Sequence, residues 1–372
     1  MSLFDPLFGS DRVAAELSDD AWVRALIEVE VALARAAASC GVVSAGAAAQ
    51  VSGAAAGLEV DAAALGRAAV PGGNPVIPLV RRLREAAGDA APAVHAGATS
   101  QDVLDTALVL LVHRAAAVVL EDLAGAAEAA AGHARTHRDT PMAARTLGQQ
   151  ALPTMFGLVA AGWCVGLDRA QTRLADVVAE LPVQLGGAAG TLAALHPHGL
   201  DVGRALATEL GLVWSPPWHT ERTRIGELAG ALGVAAGACA KPATDVVLLA
   251  GTELGEVSEG APGDSSSMPH KHNPIAAVTA RAAARRAPGL VATLLASMEH
   301  EHQRASGAWH AEWPTVTELL RVSGGAAARL RTSLEGLHVH PDAMAAHVPA
   351  GDLVHHAGDL VDHILHTRQE TA

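Results

Sequence analysis

The sequence predicts an all-α protein, organised as a bundle of long helices. Half of its 372 residues are hydrophobic, yet only 2% are aromatic and none is tyrosine, whereas strands favour β-branched and aromatic side chains. Apolar residues recur at helical spacing over segments of roughly thirty to forty residues, compared with ~11–12 for an average helix. Helices this long and this apolar are usually covered on several sides, so we expect other copies of the chain to cover part of them.

Composition also excludes several functions. Lys and Arg number 26 against 39 Asp and Glu, a net charge of −13; this argues against nucleic-acid binding, because phosphate backbones are bound through Lys and Arg. No apolar run reaches the ~20 residues of a membrane span, and the N-terminus lacks the pattern of a signal peptide. Cys40, Cys164 and Cys239 are isolated, which favours small core residues in a reducing compartment over disulfides or a zinc site. We expect a cytoplasmic protein that binds neither membrane nor metal.

Four long helices are predicted in the first two thirds of the chain. The first covers 19–41 and ends at a glycine. The second runs from Thr99 to about 132, and Thr99-Ser-Gln-Asp102 has the form of a capping box with Asp in place of Glu or Gln. The third covers 154–181, and the fourth covers 220–259 with a possible kink at a proline.

Two more helices are predicted towards the C-terminus. Asn273-Pro274 resembles an N-cap followed by proline at the first helical position. That helix should run towards Arg304, with a kink at Pro288. Pro314 should start the last one.

Three stretches interrupt this helical pattern: 94–102, 145–154 and 260–274. They are rich in Gly, Ser, Pro and polar residues, which a buried bundle does not need. Because functional groups concentrate on loops, we expect the chemistry to lie there.

The third stretch carries the most specific motif. Residues 264–274 read DSSSMPHKHNP and resemble Gly-Ser-Ser-x-Met-Pro-x-Lys-x-Asn-Pro, the signature loop of the fumarase/aspartase superfamily. Only the leading glycine, replaced by Asp264, departs from the pattern. Residues 95–102 (HAGATSQD) and 145–149 (RTLGQ) resemble the superfamily's first and second conserved regions.

Other segments are similar, more narrowly, to the bacterial 3-carboxy-cis,cis-muconate cycloisomerase family. They are 185–195 (LGGAAGTLAAL), 217–222 (PWHTER) and 307–313 (GAWHAEW), and the resemblance extends over about residues 3–345. It implies an all-α, fumarase/aspartase-like homotetramer whose active sites each draw loops from three subunits.

The resemblance also implies three helical domains. They are an N-terminal domain at 1–94, a central long-helix bundle forming the tetramer core at 95–336, and a shortened C-terminal segment at 337–372.

The superfamily reaction adds or eliminates a group next to a carboxylate, so it needs a base for the α-proton and fixed positive groups for the developing charge. The resemblance implies that Ser265 is the base, and that Lys271 and Asn273 bind the carboxylate that becomes the aci-acid. A serine hydroxyl can act as a base only if loop closure surrounds it with donors and cations.

The resemblance assigns further residues to a polycarboxylate substrate, with no cofactor. Hydrogen bonds from Thr99, Ser100 and Gln149 would hold one carboxylate. A protein of net charge −13 repels such a substrate, which therefore needs a local cluster of donors and cations. The remaining substrate-binding candidates are His95, Arg145, His219, Arg222, Ser266 and Met268.

Position 147 discriminates between reactions. Argininosuccinate and adenylosuccinate lyases and fumarases carry a histidine there, which serves acid–base steps on a basic leaving group. Leu147 cannot move protons. A carboxylate, with a reference pKa of ~4, departs without protonation, so leucine is compatible with a lactone-forming enzyme. The cycloisomerases usually have tryptophan there, so Leu147 also departs from that family.

Three hypotheses remain open at this point. The first is an intramolecular lyase that forms 4-carboxymuconolactone from 3-carboxy-cis,cis-muconate. The second is another elimination lyase with an anionic leaving group and a succinate-like substrate. The third is a non-catalytic scaffold on the same fold. Asp264 replaces the glycine of the signature loop, His272 stands at a variable position where arginine is usual, and both bear on this choice.

Overall fold

A computed structural model describes residues 3–268, 270–350 and 356–371, and it confirms the all-α class. The N-terminal helices are α1 (Asp5–Phe8), α2 (Asp11–Glu16), α3 (Asp19–Ser39), α4 (Ala45–Ala56), α5 (Ala62–Ala69) and α6 (Val76–Ala87). The remaining helices are α7 (Ser100–Thr136), α8 (Phe156–Ala179), α9 (Gly199–Leu210), α10 (Thr223–Leu249), α11 (Ile275–Ala296), α12 (Ala308–Glu335), α13 (Pro341–Ala346) and α14 (Ala357–Thr371). The strands are β1 (Pro141–Thr146), β2 (Gln149–Met155), β3 (Val257–Glu259) and β4 (Leu337–Val339).

Helices α7, α8, α10, α11 and α12 form the central bundle, in which each packs against at least two of the others. Alanine dominates many of their buried faces, and small side chains let helices approach closely. With 37 residues, α7 is about 55 Å long at ~1.5 Å per residue. We call the end of the bundle where α7, α10 and α12 begin the first end, and the opposite one the second end.

Local signals predicted two helix starts correctly. The helix predicted at 19–41 begins at Asp19, where the Ser18 side chain accepts a hydrogen bond from the Ala21 amide. The capping box at the start of α7 is present: Thr99 and Asp102 each bond to the other's backbone. Both features depend on residues within one helical turn, which explains why they can be seen in the sequence.

The helix predicted at 220–259 is shorter than expected. It ends at Leu249, and after a turn the chain forms β3, which pairs antiparallel with β4. Gly255 has a φ of +59°, a conformation that glycine adopts readily and that ends helical geometry. The signature loop is therefore carried by a strand and not by a helix.

Two predicted starts in the C-terminal half are also wrong. Asn273 does not cap α11, because its backbone pairs with Gly263 in an antiparallel bridge. Pro314 lies inside α12, which begins at Ala308.

The stretch at 145–154, predicted to be a loop, belongs to a β-hairpin. Strands β1 and β2 pair antiparallel, and Leu147 and Gly148 form the tip between Thr146 and Gln149. Both tip residues have positive φ, +51° and +79°, as a two-residue type I′ turn requires. The hairpin joins α7 to α8 at the second end.

The long helices leave apolar side chains on the outer faces of the bundle. Val234 and Leu248 of α10 are more than half exposed, and Ile275 and Leu295 of α11 are nearly so. By length and composition alone, α7 and α10 could cross a membrane, but 72% of the most apolar window of α7 is buried inside the protein, as in a core helix.

We expect Gly325→Ala in α12 to destabilise the protein. A Cβ there would overlap the Phe8 carbonyl oxygen, and overpacking typically costs about 1–3 kcal/mol. Gly132→Ala in α7 is the matched control, since nothing lies within 4 Å of its Cβ and alanine is favoured over glycine in helices by ~0.5–1 kcal/mol. Urea unfolding followed by circular dichroism should show opposite signs, and equal stability of the two variants would contradict this packing.

Candidate active site

The three stretches that resemble the superfamily's conserved regions and signature loop are divided between the two ends of the bundle. The first, 95–102, precedes and opens α7 at the first end. The second lies on the β1–β2 hairpin and the third lies between β3 and α11, both at the second end. About 55 Å of α7 separates the first stretch from the hairpin. One chain therefore does not bring the three stretches together.

At the first end, the Asp102 carboxylate connects three segments. Its Oδ2 accepts from the Thr99 and Gly187 amides, both at 2.9 Å. Its Oδ1 accepts from the Gly186 amide at 2.9 Å and lies 2.6 Å from His219 Nε2. A Cβ on Gly186 would lie 2.8 Å from the His219 ring, so the glycine permits this approach. Asp102 thus orients His219 as well as capping α7.

Arg304 is the cation nearest to the start of α7. It donates to Thr99 Oγ1 at 3.0 Å, to Gln101 Oε1 at 3.3 Å and to the Ala188 carbonyl at 3.3 Å. These acceptors are neutral, and no carboxylate pairs with Arg304 in the described part of the chain. Ser100 opens α7 beside it, half-buried. A guanidinium without a counter-charge at a helix N-terminus favours a carboxylate ligand.

His95 precedes this helix start in a left-handed conformation, with φ +63°. Its Nδ1 lies 2.7 Å from Oε1 of Glu30, a fully buried residue of α3. Non-glycine residues in this region cost free energy and are often found at functional sites.

The expectation that Arg222 binds the substrate must be corrected. Its Nη1 lies 2.8 Å from Asp105, its Nε lies 3.0 Å from Glu312, and all three side chains are fully buried. Burial lowers the pKa of Arg222, but the two carboxylates outweigh this and raise it above its ordinary value. The guanidinium is already satisfied, so we assign it a structural role.

Asp105 extends this buried network. Its carboxylate accepts from the Trp309 indole at 2.9 Å and from the Gln101 amide at 3.2 Å. Trp309 packs edge-on against Trp313, with 4.6 Å between ring centroids. The network links α7, α10 and α12 at the place where all three begin.

At the second end, Arg145 is also paired with a buried carboxylate. It forms two hydrogen bonds with the buried Glu256 carboxylate, at 2.9 and 2.5 Å, and His347 Nδ1 lies 2.9 Å from the same carboxylate. We therefore reassign Arg145 from substrate binding to holding the hairpin against β3. Gln149 is exposed beside the hairpin tip, and Leu147 at the tip is fully exposed.

The signature loop is anchored at both sides. Gly263 and Asn273 exchange backbone hydrogen bonds of 2.8 and 3.3 Å. The Glu259 carboxylate accepts from the Ala276 and Ala277 amides at 3.0 and 2.8 Å, which caps the start of α11. Residues 264–268 and 270–272 therefore form a short excursion between fixed ends.

Within this excursion, the Ser265 hydroxyl accepts from the Met268 amide at 3.1 Å. Lys271 is exposed, and so are Ser266 and Met268. The Asn273 amide lies 3.5 Å from the Gly263 carbonyl. The proposed base and its two partners thus share one loop, whereas Thr99, Ser100, His95 and His219 share the other end.

Sequence reasoning missed Glu30, Asp105 and Glu312, and it assigned no site role to Arg304. The available signal was a charge with apolar neighbours three or four positions away: Leu26 and Leu33 for Glu30, and Leu108 and Val109 for Asp105.

The chain is similar to known lyases and cycloisomerases over most of its length. A family model described as "Lyase" matches residues 8–289. The chain is 46% identical to a 3-carboxy-cis,cis-muconate cycloisomerase of Pseudomonas aeruginosa, covering 92% of this chain and 76% of that protein. It is 45% identical to a nitrosuccinate lyase of Streptomyces davaonensis, with 93% and 76% covered. The crystal structure of 3-carboxy-cis,cis-muconate lactonizing enzyme from Pseudomonas putida matches with a TM-score of 0.88 at 39% identity, covering 92% of this chain and 78% of that one.

We expect Arg222→Met to destabilise the protein by about 3–5 kcal/mol, because it leaves Asp105 and Glu312 buried without a cation. Arg224→Met is the control: this arginine pairs with Glu221 at a partly exposed site, where such pairs contribute ~0–1 kcal/mol. Thermal unfolding should separate the two variants clearly. Similar midpoints would contradict the structural role of Arg222.

Proposed function

We propose, from the premise that this chain belongs to the lyase family, that it is a cofactor-free cycloisomerase converting 3-carboxy-cis,cis-muconate to 4-carboxymuconolactone. This would be a cytoplasmic step in the degradation of aromatic compounds. Three relatives named as this cycloisomerase support the proposal. They are 40–46% identical to the chain and match more than nine tenths of it.

The observation that carries the reaction type is Leu147. It stands in the second of the three stretches, on a hairpin tip, and its side chain is fully exposed in the described part of the chain. An alkyl side chain there neither gives nor takes a proton. The leaving group of the reverse reaction must then depart as a stable anion, and a carboxylate does so.

The reaction needs one proton transfer and one C–O bond. In ring closure, a substrate carboxylate oxygen adds to the double bond, and the electron pair moves into the neighbouring carboxylate as an aci-acid. Ser265 would then deliver its proton to the α-carbon. Lys271 and Asn273 would stabilise the aci-acid, and donors at the start of α7 would hold another carboxylate.

Self-association would complete the site. The first stretch is about 55 Å from the second along α7, so an assembled site takes its stretches from different copies. The exposed apolar residues of α10 and α11, among them Val234 and Ile275, supply a surface for this contact. We propose a homotetramer whose active sites are shared between subunits.

A nitrosuccinate lyase is the second candidate. The relative of that name is 45% identical to this chain. Nitrite, like a carboxylate, departs as an anion without protonation, so Leu147 fits this elimination equally well. Removing a proton and nitrite from nitrosuccinate would give fumarate by the same Ser265 chemistry.

We expect Ser265→Ala to lower kcat with 3-carboxy-cis,cis-muconate by about 10²–10⁴, the usual contribution of a general base or acid. Ser267→Ala, in the same loop but outside the proposed site, should retain near wild-type activity. The loss of muconate absorbance measures both variants. An alanine variant at Ser265 as active as wild type would exclude this residue as the proton donor.

A substrate comparison decides between the two reactions. We expect kcat/KM for the muconate to exceed that for nitrosuccinate, with fumarate and nitrite measured for the latter. The reverse order would assign the elimination reaction to this chain. A stable tetramer in light scattering with turnover of neither substrate would favour the non-catalytic scaffold.

A further inference from the structure

The buried carboxylate of Glu30 is unusual for its surroundings. The other buried residues of α3 are all apolar, and Glu30 is completely buried among them. Its Oε1 contacts His95 Nδ1, but its Oε2 has no hydrogen-bond partner in the described part of the chain. A buried, half-satisfied carboxylate is costly, so a glutamate here calls for a reason beyond packing.

Tethering the loop does not supply that reason. Arg84 of α6 donates to the Val94 carbonyl at 3.2 Å, which holds the residue before His95. On the other side, Gly97 packs directly against the Leu195 side chain. A glutamine at position 30 could also accept from Nδ1 without burying a charge.

The carboxylate of Glu30 determines which ring nitrogen of His95 remains free. A carboxylate at Nδ1 requires the proton on that nitrogen, which leaves Nε2 as the free edge of the ring. The hydrogen bond of the ring is made at Nδ1 and none is made at Nε2 among the described residues, and the side chain is 15% exposed. Binding an anion through Nε2 requires a proton on that nitrogen as well as on Nδ1.

We propose that Glu30 is a positioning residue, which accepts a hydrogen bond from His95 Nδ1 and holds the ring with Nε2 directed towards one carboxylate of the substrate. This inference rests on the proposed function for its ligand class. Glu30 acts through His95 and does not itself touch the ligand. The other charged groups near this loop are Arg84, Asp102 and Arg304, and their hydrogen bonds go to backbone groups or to other side chains than His95.

The test measures binding of a non-reacting tricarboxylate, propane-1,2,3-tricarboxylate, to the full-length assembled protein by calorimetry. We expect Glu30→Gln to weaken binding about tenfold, the order expected for a hydrogen bond to a charged group. Glu28→Gln is the control, because it removes a charge two residues away on the same helix, where Glu28 pairs with Arg114 at a partly exposed site. It should bind as wild type does.

A double-mutant cycle identifies the route of the effect. In a His95→Ala background, we expect Glu30→Gln to change affinity no further. An undiminished effect there, or wild-type affinity of Glu30→Gln, would overturn the inference. Wild-type protein that fails to bind the tricarboxylate would also overturn it, whereas binding without turnover of the muconate would overturn only the proposed reaction.

Discussion

The first end of the molecule depends on the carboxylate of Asp102. Its two oxygens accept hydrogen bonds from the Thr99, Gly186 and Gly187 amides, and one of them contacts the His219 ring. One side chain thereby caps a 37-residue helix, fixes a glycine loop and orients a histidine. Each of these groups belongs to a different segment of the chain, so the arrangement exists only in the folded protein.

The cations near the conserved stretches divide into two groups. The first group, Arg145 and Arg222, forms ion pairs with buried carboxylates and joins separate segments of the folded chain. Arg304 bonds only to neutral acceptors, and Lys271 is exposed on its loop. In a chain of net charge −13, a small number of uncompensated cations creates a local attraction for an anionic ligand that the overall charge opposes.

Features that depend on residues close in the sequence were predicted, and features that depend on distant residues were not. The start of α3 and the capping box of α7 depend on residues three or four positions apart and were predicted. The β1–β2 hairpin was missed because its register comes from pairing across the strands, and its tip carries a leucine where Asn-Gly is the usual signal. The role of Arg222 was predicted wrongly because its partners lie 117 and 90 residues away. The motifs singled out three stretches but could not show that they lie at opposite ends of one chain.

At the exposed tip of the hairpin, a change of side chain need not disturb the packing that stabilises the protein. Core positions of a bundle resist change, because each substitution alters packing and stability. Leu147 contacts no core, and its left-handed backbone is shared with the neighbouring Gly148. Substitutions of this side chain therefore alter packing within the chain little, and under the proposed function a lineage of such proteins can change its leaving group there while its scaffold stays intact.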